Sequence, residues 1–412
     1  MHFFRSEACR NIGGAIDKKF WSIDLLQATM SYPIIWHSCS AFAALYLRRN
    51  ESRYSSYRIA TNEVLETFAL SQYNHAIRCA IELASNSEQL TADQKHAILM
   101  SSIIFTGVGY LRGNTTEALL HLRNGVNLFN SWKVRERLLD TKMPETLLSA
   151  RSLTMLFRRF TTQSRHLRDE SWPETKWTEE SEDHSESPFA SPTEAYFSIE
   201  PIYSHLVTVF EKDKERLSSQ GLQPPPDESY DIRRHFDSWK SRFLPLDQSQ
   251  SLSMMDKEGL LILRVRREVI ESGLVVMLAE QNIALDTIED HFRTMLGHAE
   301  ELLELQLSSW RTGETFSFSA SVCEALSFIA TSCRNRFLKQ RAMESLKKWP
   351  LMDGVYDAGL LGRISDAYNE AYRKQGRDDD SDSVPGSDSS ASESGMSDNN
   401  TQRKFILTKH HL

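Results

Sequence analysis

The sequence predicts an all-α protein: an extended body of antiparallel helical hairpins followed by a disordered acidic tail. Three observations predict it. Apolar residues recur at three- and four-residue spacing along most of the chain, alternating strand patterns are almost absent, and helix-capping residues stand where the periodic runs begin. With 412 residues, 40% of them hydrophobic, the chain can bury a large core. No Pro/Gly-rich boundary divides it into two halves, so one helical body over residues 1–375 is expected, with mobile loops near 164–190 and 219–230 and a separate tail over 376–412.

The elements follow in order. Leu25–Tyr46 breaks at Pro33 and resumes with an apolar stripe of Ile34, Ile35, Cys39, Phe42, Ala43 and Tyr46. Asn62–Leu83 is expected to bury Leu65, Phe68, Tyr73, Ala76, Ile77, Ala80 and Ile81. Thr91-Ala92-Asp93-Gln94 reads as a capping box, because the Thr91 hydroxyl and the Gln94 amide can satisfy each other's orphan backbone N–H groups. Ala97, Met100, Ile104, Val108 and Leu111 then share one helical face. Gly113 supplies a left-handed stop, and Asn114 with Glu117 opens the next helix, which buries Ala118, Leu122, Val126 and Phe129. So short a connection forces the two helices into an antiparallel hairpin.

Met143–Phe160 supplies a further helix. Ser191-Pro192-Thr193-Glu194 is a second capping box with proline in the first turn, opening a helix through Ile202, Leu206, Val209 and Phe210. Glu258–Leu278 is apolar nearly all round its middle, which predicts a central helix packed on several sides. Asp286 is expected to cap a helix carrying Ile288, Phe292, Leu296, Ala299, Leu302 and Leu303. Phe316–Pro350 reads as two amphipathic helices joined by a tight polar turn. Between Ser164 and Ser187 the chain turns acidic and loses periodicity, and Gly221–Ser229 contains three consecutive prolines, so both are expected to be breaks. From Gly376 to Asn400 only Val384, Ala391 and Met396 are apolar, too few to offset the entropy of ordering. Ser and Asp interleave there in a pattern that acidic-directed kinases can modify.

Composition narrows the function classes. A formal charge of −8 gives no global electrostatic reason to bind nucleic acid. No apolar run approaches the roughly 20 residues that span a bilayer, and MHFFRSEACRNIGG has no signal-peptide core, so a soluble intracellular protein without membrane partners is expected. The cysteines, Cys9, Cys39, Cys79, Cys323 and Cys333, are odd in number and scattered, which argues against a disulfide framework. They form no C-x2-C pair and cannot supply the six thiolates of a binuclear zinc cluster.

Several apparent motifs carry a structural reading. Gly107-Val108-Gly109 with Gly113 mimics a nucleotide loop at the wrong spacing and on a helix, where small residues let helices approach. His121 and Arg123 are expected to make packed hydrogen bonds or salt bridges. Arg334, Arg336, Lys339 and Arg341 read as a solvated basic face. No G-x-S-x-G elbow, Walker loop or H-E-x-x-H helix occurs. No catalytic, cofactor-binding or metal residue is therefore assigned, no cofactor is expected, and the chain is not read as an enzyme.

A series of landmarks runs through the chain. It begins with His2-Phe3-Phe4-Arg5-Ser6, Phe20-Trp21, Leu25-Leu26-Gln27-Ala28 and Pro33-Ile34-Ile35-Trp36-His37. Ser71-Gln72-Tyr73-Asn74-His75-Ala76-Ile77, Gly113-Asn114, His121-Leu122-Arg123-Asn124-Gly125 and Phe157-Arg158-Arg159-Phe160 with Gln163 follow. The last are Phe189-Ala190-Ser191, Phe316-Ser317-Phe318, Cys333-Arg334, Trp349-Pro350 and Gly354-Val355-Tyr356-Asp357. In this order they resemble the helical regulatory region of fungal Zn2Cys6 (zinc-cluster) transcription factors, the fungal-specific transcription factor domain. The resemblance implies a nuclear transcription regulator (cytoplasm being the alternative location). Its implied partners are the transcriptional machinery or other regulator proteins, and a small-molecule effector and homodimerisation stay open. DNA would be reached only through a missing or separate zinc-cluster module. A helical protein–protein adaptor is the alternative reading, and an enzyme with an unrecognised site a third.

Overall fold

The computed structural model describes residues 1–50, 61–85, 90–135, 146–167, 172–173, 186–218, 227–249, 253–278, 285–308, 315–319, 322–333, 335–349, 351–353, 356–357, 366–367 and 370. The protein is all-α, with only three short strands among the described residues. These fall in two compact units. The first comprises Met1–His184, Gln306–Ala320 and Pro350–Val355; the second comprises Ser185–Leu305, Ser321–Trp349 and Tyr356–Leu412.

The first unit contains α1 (Cys9–Ile12), α2 (Leu25–Ser31), α3 (Pro33–Arg49), α4 (Asn62–Ala84), α5 (Ala92–Leu111), α6 (Thr115–Ser131) and α7 (Ala150–Gln163), with β1 (Thr315–Ser317) and β2 (Leu351–Asp353). Pro33 sets the α2–α3 break as expected. Its ring bars the preceding residue from helical geometry, and Tyr32 is extended at φ −125°, ψ 105°. From there α3 is buried on most sides and packs against α2, α4 and α5. Helix α4 departs from expectation. It rests on the core through a narrow stripe of Ala69, Tyr73 and Ala76, which leaves Phe68 and Ile81 47% and 63% exposed.

The α5–α6 hairpin forms as its residues predict. Thr91 Oγ1 accepts the Gln94 N–H at 3.2 Å, and Gln94 Oε1 accepts the Thr91 N–H at 2.9 Å. Gly113 takes φ +73°, a left-handed conformation that favours glycine, and the Asn114 N–H returns to the Gly109 carbonyl at 2.9 Å. Asn114 Oδ1 then accepts the Glu117 N–H at 3.1 Å. A Cβ on Gly109 would lie 2.8 Å from the Ala118 backbone, so the glycine sets how closely the two helices approach.

Two expectations in this unit are corrected. Helix α7 begins at Ala150, because Ser149 caps it by accepting the Ser152 N–H. Residues 146–149 are not helical, the Leu147 N–H donating instead to Asp93 at 2.8 Å, and 143–145 lie outside the described residues. Phe316–Ser317, expected to be helical, are strand: β1 pairs with β2 in parallel, Thr315 opposite Leu351 and Ser317 opposite Asp353. The Phe318 N–H donates to the Ile12 carbonyl at 2.7 Å. Extended chain also puts Phe316 and Phe318 on one side, where both contact Phe42 and Phe318 stacks on Trp21 at 4.7 Å.

The second unit contains α8 (Pro192–Ser218), α9 (Asp227–Asp247), α10 (Met254–Leu278), α11 (Leu285–Ser308) as far as Leu305, α12 (Cys323–Ser332), α13 (Arg336–Lys348) and β3 (Tyr356–Asp357). At the α8 start Ser191 Oγ accepts the Glu194 N–H at 3.2 Å, while Glu194 reaches back one residue further than a capping box requires, to the Ala190 N–H at 2.8 Å. As expected, α10 is central and packs against α8, α9 and α12. Helix α9 has no counterpart in the sequence reading. It buries Ile232, Phe236, Trp239, Phe243 and Leu246 at alternating four- and three-residue steps, and Trp239 Nε1 donates to the Ala195 carbonyl at 2.9 Å. The break expected at Gly221–Ser229 therefore ends at Asp227, with 219–226 outside the described residues. The side chain of Asp286, most of 168–185 and the whole tail beyond Glu370 also lie outside them.

Candidate functional site

Three places gather polar chemistry. The first is a buried arginine in the first unit. Arg159 on α7 is 1% exposed; one guanidinium nitrogen donates to Asp17 Oδ2 at 2.7 Å and to the Phe318 carbonyl at 2.6 Å. Asp17 is itself buried. Ser317 Oγ donates to the Ile12 carbonyl at 3.4 Å and accepts the Ser319 N–H at 2.9 Å. One cation thus ties together the N-terminal segment, α7 and the strand region near residue 317. Sealed from solvent and bonded to protein oxygens, Arg159 holds the fold rather than greeting a ligand.

The second place lies on the hairpin. His121, expected to make a packed hydrogen bond, meets Tyr73 with Nε2 at 2.5 Å from the hydroxyl. Burial lowers the His121 pKa against a raising pull from Glu117, and burial raises that of Tyr73 with Glu117 adding to it. Both shifts favour the uncharged forms, a protonated phenol beside a neutral imidazole, and the imidazole tautomer sets which of the two donates. Arg112 neutralises Glu117 at 2.8 Å.

The third is an open cleft of about 420 Å³ in the second unit, between α9, α10 and α11. Phe243 and Leu244 give it apolar wall, and charged pairs line the rest. Glu271 accepts Arg233 at 2.8 Å and Lys240 at 3.4 Å; Asp247 accepts Arg264 at 2.6 Å and Arg267 at 3.3 Å. Glu268 accepts His291 Nδ1 at 2.7 Å and Arg267 at 3.0 Å. Burial alone would raise the Glu268 pKa, but the bonds from His291 and Arg267 outweigh it and hold the carboxyl below the usual range. The cleft thus presents both signs of charge, paired with one another within the chain, beside a short apolar wall and open to solvent. Elsewhere in this unit the buried Arg266 spans Glu200 at 3.6 Å and Glu324 at 3.8 Å and lies 3.7 Å from the Tyr203 ring centre. Burial works against its charge, but Glu200 above all, with Tyr203, Tyr196 and Glu324, more than offsets this and keeps it cationic.

No cleft residue was singled out in the sequence. The signal was present: Arg264, Arg267, Glu268 and Glu271 form a charged stripe at three-, four- and seven-residue steps on a helix whose middle is otherwise apolar except for Arg266. Gly107 and Gly109 lie on α5, as the structural reading held. In the expected basic face Arg341 is paired with Glu300, and Arg334 lies outside the described residues. Among the described residues no group of three or more His, Cys, Asp or Glu is placed to hold a metal ion, and no helix is long and apolar enough to cross a membrane.

Compared with known families, residues 1–263 match the model described as fungal specific transcription factor domain. No curated protein and no solved structure matches the chain.

Proposed function

The chain belongs to the fungal specific transcription factor domain family, and from that premise we propose that it is the regulatory helical region of a Zn2Cys6-type transcription regulator, acting in the nucleus while a separate module reads DNA. The match over residues 1–263 carries this reading. The cysteine chemistry supports its second half. The chain has five cysteines, one fewer than a binuclear cluster takes, and Cys9, Cys39, Cys323 and Cys333 are buried. Burial pushes the Cys39 thiol up and that of Cys333 up to about 11, the opposite of what a zinc-bound thiolate needs.

In this reading the protein is a regulator rather than an enzyme. It acts through the transcriptional machinery, partner regulators or a second copy, and the cleft at Phe243, Arg267 and Glu271 receives a small effector bearing both charges. An adaptor role is the second reading, favoured by the exposed Val64 and Phe68, one turn apart on α4. Purified protein tests the division of labour. It is expected to carry no stoichiometric zinc by elemental analysis and to bind duplex DNA only weakly, with affinity falling as salt rises. Sequence-specific binding by the isolated chain would overturn the proposal.

A further inference from the structure

We infer that the acidic C-terminal tail, Asp378–Asp398, docks on the basic face of α13 in the same chain. The helix carries Arg336, Lys339, Arg341, Lys347 and Lys348 against a single acid, Glu344. At 100° per residue Arg336, Lys347, Phe337, Lys348 and Arg341 fall within one arc of about 140°, which also takes in Gln340 and Glu344, joined by a 3.0 Å hydrogen bond. Arg341 is committed to Glu300, whereas Arg336 and Lys348 pair with no described residue, and Phe337 stands 66% exposed among these cations. A solvent-facing aromatic, with the Arg341 guanidinium 5.4 Å from its ring centre, on a face with four cations and one acid suits an acidic segment punctuated by apolar residues.

The chain's own C-terminal part has that chemistry and is within reach. Asp378–Asp398 contains seven acids and no base, with Val384 and Met396 for apolar contact. One acid of the C-terminal chain is already on this face: Asp366 pairs with Lys347 at 3.5 Å. Asp378 follows twelve residues later, a span of up to roughly 40 Å when extended, whereas α13 is only about 20 Å long. The acidic run can therefore reach every cation on the face. As an intramolecular partner it acts at an effective concentration near the millimolar range, and phosphates on its serines would add charge of the matching sign.

Zero-length carbodiimide cross-linking of the full chain, read by peptide mass spectrometry on a mixture of isotopically light and heavy protein, tests the docking. The expected result is that links from Lys347 and Lys348 to Asp378–Asp382 dominate, join residues of the same copy, and fall at least fivefold when salt is raised to about 0.5 M, where charges are screened within a few ångström. The double variant Lys347→Glu and Lys348→Glu alters only exposed side chains. In it the tail carboxylates are expected to lose their preferred partner rather than shift to another single lysine. Links spread over surface lysines in proportion to exposure, or links found only between copies, would overturn the proposal.

Discussion

Arg159→Met is expected to destabilise the protein by about 3–5 kcal/mol, because it strands a buried carboxylate rather than merely deleting a contact. Asp17 is 6% exposed, and Arg159 is the cation 2.7 Å from it. The same substitution takes a 2.6 Å donor from the Phe318 carbonyl. Methionine keeps much of the side-chain length and fills the space, so the loss cannot be assigned to a cavity. For a domain with a typical stability of about 5–15 kcal/mol this is a large fraction. Denaturant unfolding should show a lowered midpoint with little change in slope. Adding Asp17→Leu to Arg159→Met should recover part of the loss, since a buried pair removed together leaves no uncompensated charge. An unchanged midpoint in Arg159→Met would show that the ion pair is not what joins the N-terminal segment, α7 and the strand region.

Leu122→Asp should be equally severe. Leu122 is fully buried in the face of α6 that also carries Ala118, Val126 and Phe129. A carboxylate there must be desolvated or take up a proton, at a cost of several kcal/mol on top of the lost apolar burial. The expected phenotype is loss of the cooperative transition at ambient temperature. Leu122→Met serves as the comparison, because it conserves volume and should cost less than about 1.5 kcal/mol. A cooperatively folding Leu122→Asp protein with the wild-type melting temperature would place this face in solvent.

The α5–α6 hairpin was legible because every decision in it is local. Cap, periodic face, left-handed glycine and second cap lie within forty consecutive residues, and each is a preference of the backbone itself. Helix α9 was equally readable in its Ile232, Phe236, Trp239, Phe243 and Leu246 spacing, but three prolines immediately before it drew attention to a break. The strand at Phe316 could not be read so. Its helical periodicity is overruled by partners about three hundred residues away, the Ile12 carbonyl and Trp21, and by Arg159 across 159 positions. Exposure of Phe68 was hidden for a related reason, since which arc of α4 meets the core depends on the small residues Ala69 and Ala76 and the surface opposite them. Of the polar centres, Phe157-Arg158-Arg159-Phe160 was visible as a landmark. Its meaning required Asp17, and the cleft required charged stripes of three helices to converge.

The central claim is that this helical chain controls transcription without reading bases. The most direct test fuses the full chain to a foreign DNA-binding domain and measures a reporter carrying that domain's sites in a fungal cell, under varied nutrients, with fusion levels followed by immunoblot. The account predicts that output departs several-fold from that of the DNA-binding domain alone in at least one nutrient condition. Output indistinguishable from that domain alone in every condition, with the fusion present at normal levels, would contradict it.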